Sequence, residues 1–505
     1  MSPIAAPPTP SDPASQDDFL RRVRPSGWQN PPPRSRYDLV VIGGGPAGLS
    51  AAEIASRHGL SVALVERYRL GGNSLNSGSI PSKAIIRAAR VLSSLRDDEE
   101  YGAAAFGPLT DFPAVMERIR RIRTRIAEYH SVERLQAQGI DVFFADARFA
   151  EAHVVIAGQT PLSFKKALIA TGARPRSSNI PGLDLVGYLT SDSIFDLAEL
   201  PKRLGVIGGG PLGCELAQAF CRLGSRVTIF QNEAKFLPDE EREAAELLSM
   251  SMSRDGVDTR LNTTVVGART DAGAKWLDTV NDGIKCSIVV DEILLSIGRA
   301  PNVEGLALAA GGINFEMEQG IDVDDFLCTT NVDVYAAGDV CNRHLFTNVA
   351  ESSGRLAVQN AFGARMGRQH QAAIPWCTYC DPEIAHIGVH AREARERSIP
   401  VKCYTVMMQD VDRAITDGQD YGFIKVYVRQ RTDQILGATI VATRASELIN
   451  EMSVIMSAGI GMRRLATIVH TYPAQSDAIR LAAVAFVNSR SEDLDGRRPQ
   501  ATGPP

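Results

Sequence analysis

Residues 37–66 read YDLVVIGGGPAGLSAAEIASRHGLSVALVE, and this stretch decides the fold. A short apolar run from Tyr37 ends in glycines, a helix-periodic segment follows from Pro46 to about His58, and a second apolar run closes on Glu66. The order is strand, glycine turn, helix, strand. Within Gly43-x-Gly45-x-x-Gly48 the glycines have separate tasks. One makes the tight turn, one lets the backbone approach a pyrophosphate, and one lets helix pack on strand. Pro46 and Ala47 complete the turn, so the helix N-terminus faces the phosphates and Glu66 is placed to hold ribose hydroxyls. A glycine triplet alone is a weak signal. The strand before it, the helix after it and the acid at the right distance make this one specific.

The pattern recurs at residues 203–230, RLGVIGGGPLGCELAQAFCRLGSRVTIF, with Gly208-x-Gly210-x-x-Gly213. Here the second strand runs to Gln231, where a site for NAD usually has Asp or Glu. A neutral side chain does not repel a 2′-phosphate, which favours NADPH and leaves NADH admissible. Lys235 lies just beyond as a candidate phosphate partner, though a lysine in such a loop is more often solvated. Two dinucleotide cradles on one chain point to electron transfer between two cofactors.

Composition narrows the class. A chain of 505 residues, 44% hydrophobic and 22% charged, is globular and long enough for two to four folding units. A net charge of −5 attracts neither nucleic acid nor an anionic membrane. No apolar run approaches the roughly 20 residues of a membrane span. The first residues, MSPIAAPPTPSDPASQDDF, lack the charged start and apolar core of a secretory signal. Eight cysteines spread between Cys214 and Cys403 look like reduced thiols, so a cytoplasmic location is expected. Residues 1–36 and 491–505, rich in Pro, Ser and Arg, are read as a disordered arm and a disordered tail.

From Tyr37 to about Ser489 the chain resembles the pyridine nucleotide–disulfide oxidoreductases, which include dihydrolipoamide dehydrogenase, glutathione reductase, mercuric reductase and soluble transhydrogenase. The resemblance implies an α/β fold with two Rossmann-like dinucleotide-binding domains and a C-terminal α+β dimerisation domain. It divides the chain into a FAD-binding domain (37–180 and 301–370), an NAD(P)-binding domain (181–300) and a dimerisation domain (371–490). It implies FAD in the first cradle, NAD(P)H in the second, and a homodimer whose C-terminal domain completes the partner's site. Thr171 and Gly172 in ATG match one crossing between domains, and Arg299 in GRAPN matches the return crossing. Asp339 in YAAGD matches the aspartate on the flavin's ribityl chain, and Ala350 a backbone contact to the ring. Lys83 in IPSK and Glu215 match an ion pair beside flavin N5, where a lysine stabilises negative charge on reduced flavin.

Two motifs depart from the family. Its redox cysteines stand five apart before IPSK, but residues 71–83 read GGNSLNSGSIPSK, with Ser74 and Ser79 in those places. A serine hydroxyl forms neither a disulfide nor a stable anion near neutral pH, so the dithiol relay is expected to be absent. The family's catalytic histidine and the glutamate after it are replaced as well. In TYPAQSD, aligned on the proline, Tyr472 takes the histidine place and Asp477 the glutamate place, while His470 reads as structural. A phenol with a pKa of about 10 is a poor proton shuttle for thiols but a serviceable donor to a carbonyl or oxyanion.

The remaining motifs favour the bland reading. Cys377-x-x-Cys380 has no second pair and no helix behind it, Cys214 and Cys221 read as core, and the RIRRIRTRIAEY run reads as a solvated basic face. No metal site is expected. The expectation is therefore an NAD(P)H-dependent FAD oxidoreductase. It would pass hydride from nicotinamide to flavin, and electrons directly to a small, quinone-like acceptor. The alternatives are transhydrogenation between nicotinamide nucleotides and a catalytically silent flavoprotein acting as a sensor or binding module.

Overall fold

The strand Tyr37–Ile42 is almost wholly buried, and its neighbours explain why. In the computed structural model, which describes residues 13–94, 110–342, 344–363, 367 and 373–495, this strand pairs in parallel with Val62–Glu66 on one side and Thr160–Ile169 on the other. The sheet extends on one flank through Ile140–Phe144 and on the other through the hairpin Val154–Ala157 and Ala147–Glu151. Val334–Ala336 also pairs in parallel with Thr160–Ile169, so a late segment of the chain closes the first dinucleotide sheet. Strands covered on both faces read as continuous apolar runs, as VALVE does here.

The second cradle rests on a four-stranded parallel sheet in the order Asp258–Arg260, Arg226–Phe230, Arg203–Ile207, Glu292–Leu295. A three-stranded antiparallel sheet of Thr263–Asp271, Ala274–Asn281 and Ile284–Val290 accompanies it. The crossings form a two-stranded ribbon, Ala173–Pro175 against Arg299–Pro301. The fold is α/β, as expected.

The chain divides into two compact units, residues 1–232 with 257–371 and residues 233–256 with 372–505. The second unit is built on a five-stranded antiparallel sheet, Trp376–Thr378, Glu383–Gly388, Ile435–Ala442, Phe423–Arg429 and Val401–Met407. Helices Ala445–Ser457 and Asp477–Asp495 cover it. The helix Arg242–Asp255 belongs to this unit although its sequence falls within 181–300. Its end is held there by Tyr427 donating to Glu241 at 2.7 Å and by an ion pair of Lys425 with Glu243.

The expected disordered arm is corrected for the part described. Residues 13–23 form a helix whose Phe19 and Val23 are buried in the core of the first sheet. Composition averaged over the arm conceals these apolar anchors. At the other end the last helix continues to Asp495, five residues into the expected tail; residues 496–505 lie outside the described part, as do residues 1–12. Among the described residues no helix is long and apolar enough to cross a membrane.

Candidate functional site

Each glycine turn is shaped so that side chains cannot occupy it. Gly43 has φ +109°, and a Cβ there would stand 2.3 Å from the Ala170 carbonyl oxygen. A Cβ on Gly48 would stand 1.8 Å from the Gly43 carbonyl oxygen, so helix and strand touch only because glycine is present. The helix Pro46–Arg57 starts at an extended Gly45 with Pro in its first turn and no side-chain cap. Its first amides are therefore left for an external acceptor, which fits a pyrophosphate. Glu66, 8% exposed, accepts the Gly44 amide at 2.7 Å and the Tyr68 amide at 2.6 Å. Burial pushes its carboxyl above the usual carboxylate range, while those two amides and the charges of Arg67 and Arg24 oppose the shift. Ala47 packs beneath the turn, where Gly354 lets the helix Thr347–Phe362 cross; Gly338 lies between Ala47 and Ala350.

The crossings meet the same region. Thr171 donates to the Asn302 carbonyl at 2.8 Å, Asn302 donates back to the Gly172 carbonyl at 2.9 Å, and Arg299 donates to the Ala173 carbonyl. Arg299 and Asp339 line a cavity of about 470 Å³ with Ala173, Asp322, Asn342 and Leu345. Burial raises the Asp339 carboxyl and lowers the Arg299 guanidinium, and the charge of each partly offsets the shift of the other. This cradle and cavity suit a dinucleotide with a polar linker, as FAD has.

The second cradle repeats the first. Gly208 has φ +102°, with the Ser296 carbonyl oxygen 2.3 Å from a would-be Cβ, and a Cβ on Gly213 would stand 2.2 Å from the Gly208 carbonyl oxygen. Gly210 faces open space, and the helix Pro211–Leu223 again lacks a side-chain cap. Gln231, 8% exposed, accepts the Gly209 amide at 2.9 Å. Lys235 lies in the second unit.

Helix Ser79–Ser94 packs against helix Pro211–Leu223, and the contact carries a charge pair. Lys83 Nζ donates to Glu215 Oε2 at 2.7 Å, with Glu215 buried at 4% exposure. One turn before Lys83, Ser79 shares a hydrogen bond of 3.2 Å with Thr347. Thr347 also donates to Ser74 at 3.3 Å. One threonine thus ties together the two serines that the family pattern singles out. Around them Ser77 donates to Asp192 at 2.8 Å and Asn73 to the Ala173 carbonyl at 2.6 Å. Sequence reasoning missed Thr347, Asp192 and Asn73. Thr347 opens the helix that carries Ala350, which is the one signal that could have drawn attention to it.

In the second unit Tyr472 is 70% exposed and donates to Asp412 at 2.7 Å; that bond raises its phenol above the ordinary value. Asp477 opens the last helix and pairs with Arg480 at 2.6 Å, and His470 bonds Glu451 at 2.7 Å. Cys377 lies on the edge strand half-buried, Cys380 is buried after it, and burial pushes the Cys214 and Cys341 thiols up. Among the described residues no group of His, Cys, Asp and Glu could hold a metal ion.

Comparison with known proteins agrees with this geometry. The profile described as "Pyridine nucleotide-disulphide oxidoreductase" matches residues 37–360, and that of its dimerisation domain matches residues 374–483. A mercuric reductase of Lysinibacillus sphaericus is 30% identical over 450 residues, 89% of this chain and 82% of that protein. A dihydrolipoyl dehydrogenase of Thermus scotoductus is 32% identical over 462 residues, 89% of this chain and 97% of that protein. Among solved structures, LpdA from Mycobacterium tuberculosis superposes with a TM-score of 0.82 at 26% identity, covering 89% of this chain and 99% of that one. The HOCl-induced flavoprotein disulfide reductase RclA from Escherichia coli, as its Cu(II) complex, superposes with a TM-score of 0.80 at 26% identity, covering 90% of this chain and 100% of that one. The chain belongs to the pyridine nucleotide–disulphide oxidoreductase family, oxidoreductases whose cofactors are FAD and NAD(P)H.

Proposed function

We propose that the protein is an NAD(P)H-dependent FAD oxidoreductase that delivers electrons directly to a small conjugated carbonyl acceptor of the quinone kind, without a dithiol relay. The observation that carries the reading is the hydroxyl cluster. Ser74 and Ser79 stand where the family resemblance expects a cysteine pair, and both bond Thr347, at 3.3 and 3.2 Å. Three hydroxyls cannot store electrons, but with Ser79 donating to Thr347 and Thr347 to Ser74, the Ser74 proton is left to donate to a carbonyl oxygen and to the oxyanion it becomes.

When bound, FAD supplies the two-electron chemistry that oxidises the reduced nicotinamide and reduces the acceptor. The net conversion is NAD(P)H, a proton and a quinone to NAD(P)⁺ and a hydroquinone. In this reading Lys83 places positive charge beside the reacting ring, and Glu215, 2.7 Å away, fixes its Nζ and borders the nicotinamide. The glycine turns at Gly43 and Gly208 seat the two pyrophosphates, and Asp339 and Ala350 orient the flavin. In the homodimer that the family resemblance implies, Tyr472 would turn its hydroxyl from Asp412, to which it donates at 2.7 Å, to the acceptor of the other protomer, and Asp477 would stand in the place of the family's glutamate. The spans 37–180, 181–300, 301–370 and 371–490 divide this work as the family resemblance implies.

Anaerobic rapid mixing of FAD-loaded protein with NADPH or NADH tests this. The flavin should bleach without a long-wavelength thiolate charge-transfer band, and a benzoquinone should then restore its colour. Bleaching reversed only by a nicotinamide analogue would make the protein a transhydrogenase instead. A flavin that neither nucleotide bleaches would make it a silent flavoprotein and end the reading.

A further inference from the structure

Residues 13–36 precede the part of the chain that matches the family profile, which begins at residue 37. They nevertheless pack into the first unit's core, and midway along, at Val23 and Arg24, they grip the loop that carries Glu66 to the next element. We propose that this segment is a strap that positions Glu66 for the adenosine ribose of FAD, and that Arg24 is its positioning residue. The proposal rests on FAD occupying the first cradle.

The strap is anchored at three places. Phe19 and Val23 on the helix Pro13–Val23 are 6% and 0% exposed and belong to the cluster that contains Val62, Leu64 and Ala47. The Phe19 ring faces two guanidinium groups, Arg123 at 4.8 Å and Arg69 at 6.0 Å, the latter from the Glu66 loop itself. Beyond the helix, Trp28 meets Phe144 edge-on with centroids 5.8 Å apart, and the Asn30 side chain accepts the Phe144 amide at 2.8 Å. Phe144 ends the edge strand beside Val62–Glu66, so the strap covers that strand's end. Finally Arg34 pairs with Asp141 at 2.8 Å.

Between these anchors the strap grips the loop. The Leu70 amide donates to the Val23 carbonyl at 3.1 Å. Arg24 Nη1 donates to the carbonyl of Tyr68 at 2.7 Å and also to that of Arg67. The Arg67 carbonyl and the Tyr68 amide are two edges of one planar peptide group. On its far edge that group donates to Glu66 Oε1 at 2.6 Å. The plane therefore passes the hold of Arg24 to the carboxylate, and a bond at one edge polarises the other. Glu66 Oε2 is fixed by Gly44 at 2.7 Å. Each oxygen is oriented by one amide and retains a lone pair, which is what two ribose hydroxyls require. The charges of Arg24 and Arg67 also favour the ionised carboxylate against its burial.

The test uses full-length protein stripped of flavin and reconstituted with FAD, with flavin fluorescence as the readout of affinity. Arg24→Ala should raise the FAD dissociation constant about tenfold, and Arg24→Lys, which restores charge and a donor, should recover part of the loss. Lys166→Ala, which removes an ion pair with Asp333 at 2.7 Å outside the strap, should leave the FAD dissociation constant unmoved whatever it does to the thermal midpoint. The dissociation constant of NADPH should stay the same in all three. If Arg24→Ala leaves FAD affinity within twofold while apoprotein and holoprotein midpoints fall equally, the strap is a packing element only and the proposal is overturned. Failure of the unaltered protein to take up FAD would instead remove the reading of the first cradle on which the proposal rests.

Discussion

Gln231 holds in the second cradle the place that Glu66 holds in the first, each accepting a bond from the middle glycine of its own turn. The two cradles differ there by one charge. Gln231→Glu keeps the acceptor for the Gly209 amide and adds a negative charge where, in the proposed reading, the nucleotide ribose would lie. A carboxylate repels a 2′-phosphate and accepts from a 2′-hydroxyl. The variant should lose at least about tenfold in kcat/KM with NADPH, about 1.4 kcal/mol, and lose little or gain with NADH. Steady-state kinetics with both nucleotides check this; equal losses with both would show that Gln231 does not read the 2′ position.

The serine pair predicts an electron count. Without a dithiol, the protein should take up two electrons per flavin in an anaerobic reductive titration. Ser74 and Ser79 each lie within hydrogen-bond distance of Thr347, so side chains at these positions are neighbours. The double variant Ser74→Cys, Ser79→Cys should therefore take up four electrons per flavin and show a long-wavelength band on partial reduction. An uptake of two electrons by the double variant would mean that the positions cannot support a disulfide.

Thr347 makes a separate prediction for the acceptor. Thr347→Val keeps the shape of the side chain and removes the hydroxyl that links the serines. A hydrogen bond of this kind contributes about 0.5–1.5 kcal/mol, so KM for a benzoquinone should rise roughly two- to tenfold. The rate of flavin bleaching by NAD(P)H should be unchanged, because the Thr347 hydroxyl bonds the two serines while Lys83 pairs with Glu215. A slowed bleaching step would place Thr347 in nucleotide oxidation instead.

How much of this was legible in sequence follows from the reach of each constraint. The glycine turns were legible because positive φ at Gly43 and Gly208, and would-be Cβ contacts under 2.5 Å at these two and at Gly48 and Gly213, admit no other residue. Lys83 and Glu215 carry no local signal of their pairing; they were found through the motifs around them. The Thr347 hydroxyl bridge joins positions 268 and 273 residues apart and depends on a helix that only tertiary folding brings across the site. The ordered arm was missed because its anchors, Phe19, Val23 and Trp28, are few among prolines and arginines. Two of its partners, Arg69 and Arg123, are themselves charged. The RIRRIRTRIAEY run, read as a solvated basic face, contains Arg123, 7% exposed and with its guanidinium lowered to about 10 by burial.

The second unit carries a prediction for acid stability. His386 is wholly buried, bonds Thr439 at 2.8 Å and the Gly388 carbonyl at 3.0 Å, and stacks on His390 with ring centroids 3.4 Å apart. Burial, with a smaller contribution from the His390 charge, lowers its pKa to about 3. A histidine in the unfolded chain titrates at about 6.5. Above that value both states are neutral and the group adds no pH dependence. As pH falls from about 6.5 towards 3, the unfolded chain takes up the proton while the fold refuses it. Stability is therefore lost by up to about 1.4 kcal/mol per pH unit, and the loss ends once both states are protonated. Urea midpoints of the second unit's unfolding, followed from pH 7.5 to 4, should fall for the unaltered protein. His386→Asn retains a partner for Thr439 but no titrating ring, and its profile should be flatter by about one proton whatever its absolute stability. Parallel profiles would show that some other group governs acid unfolding.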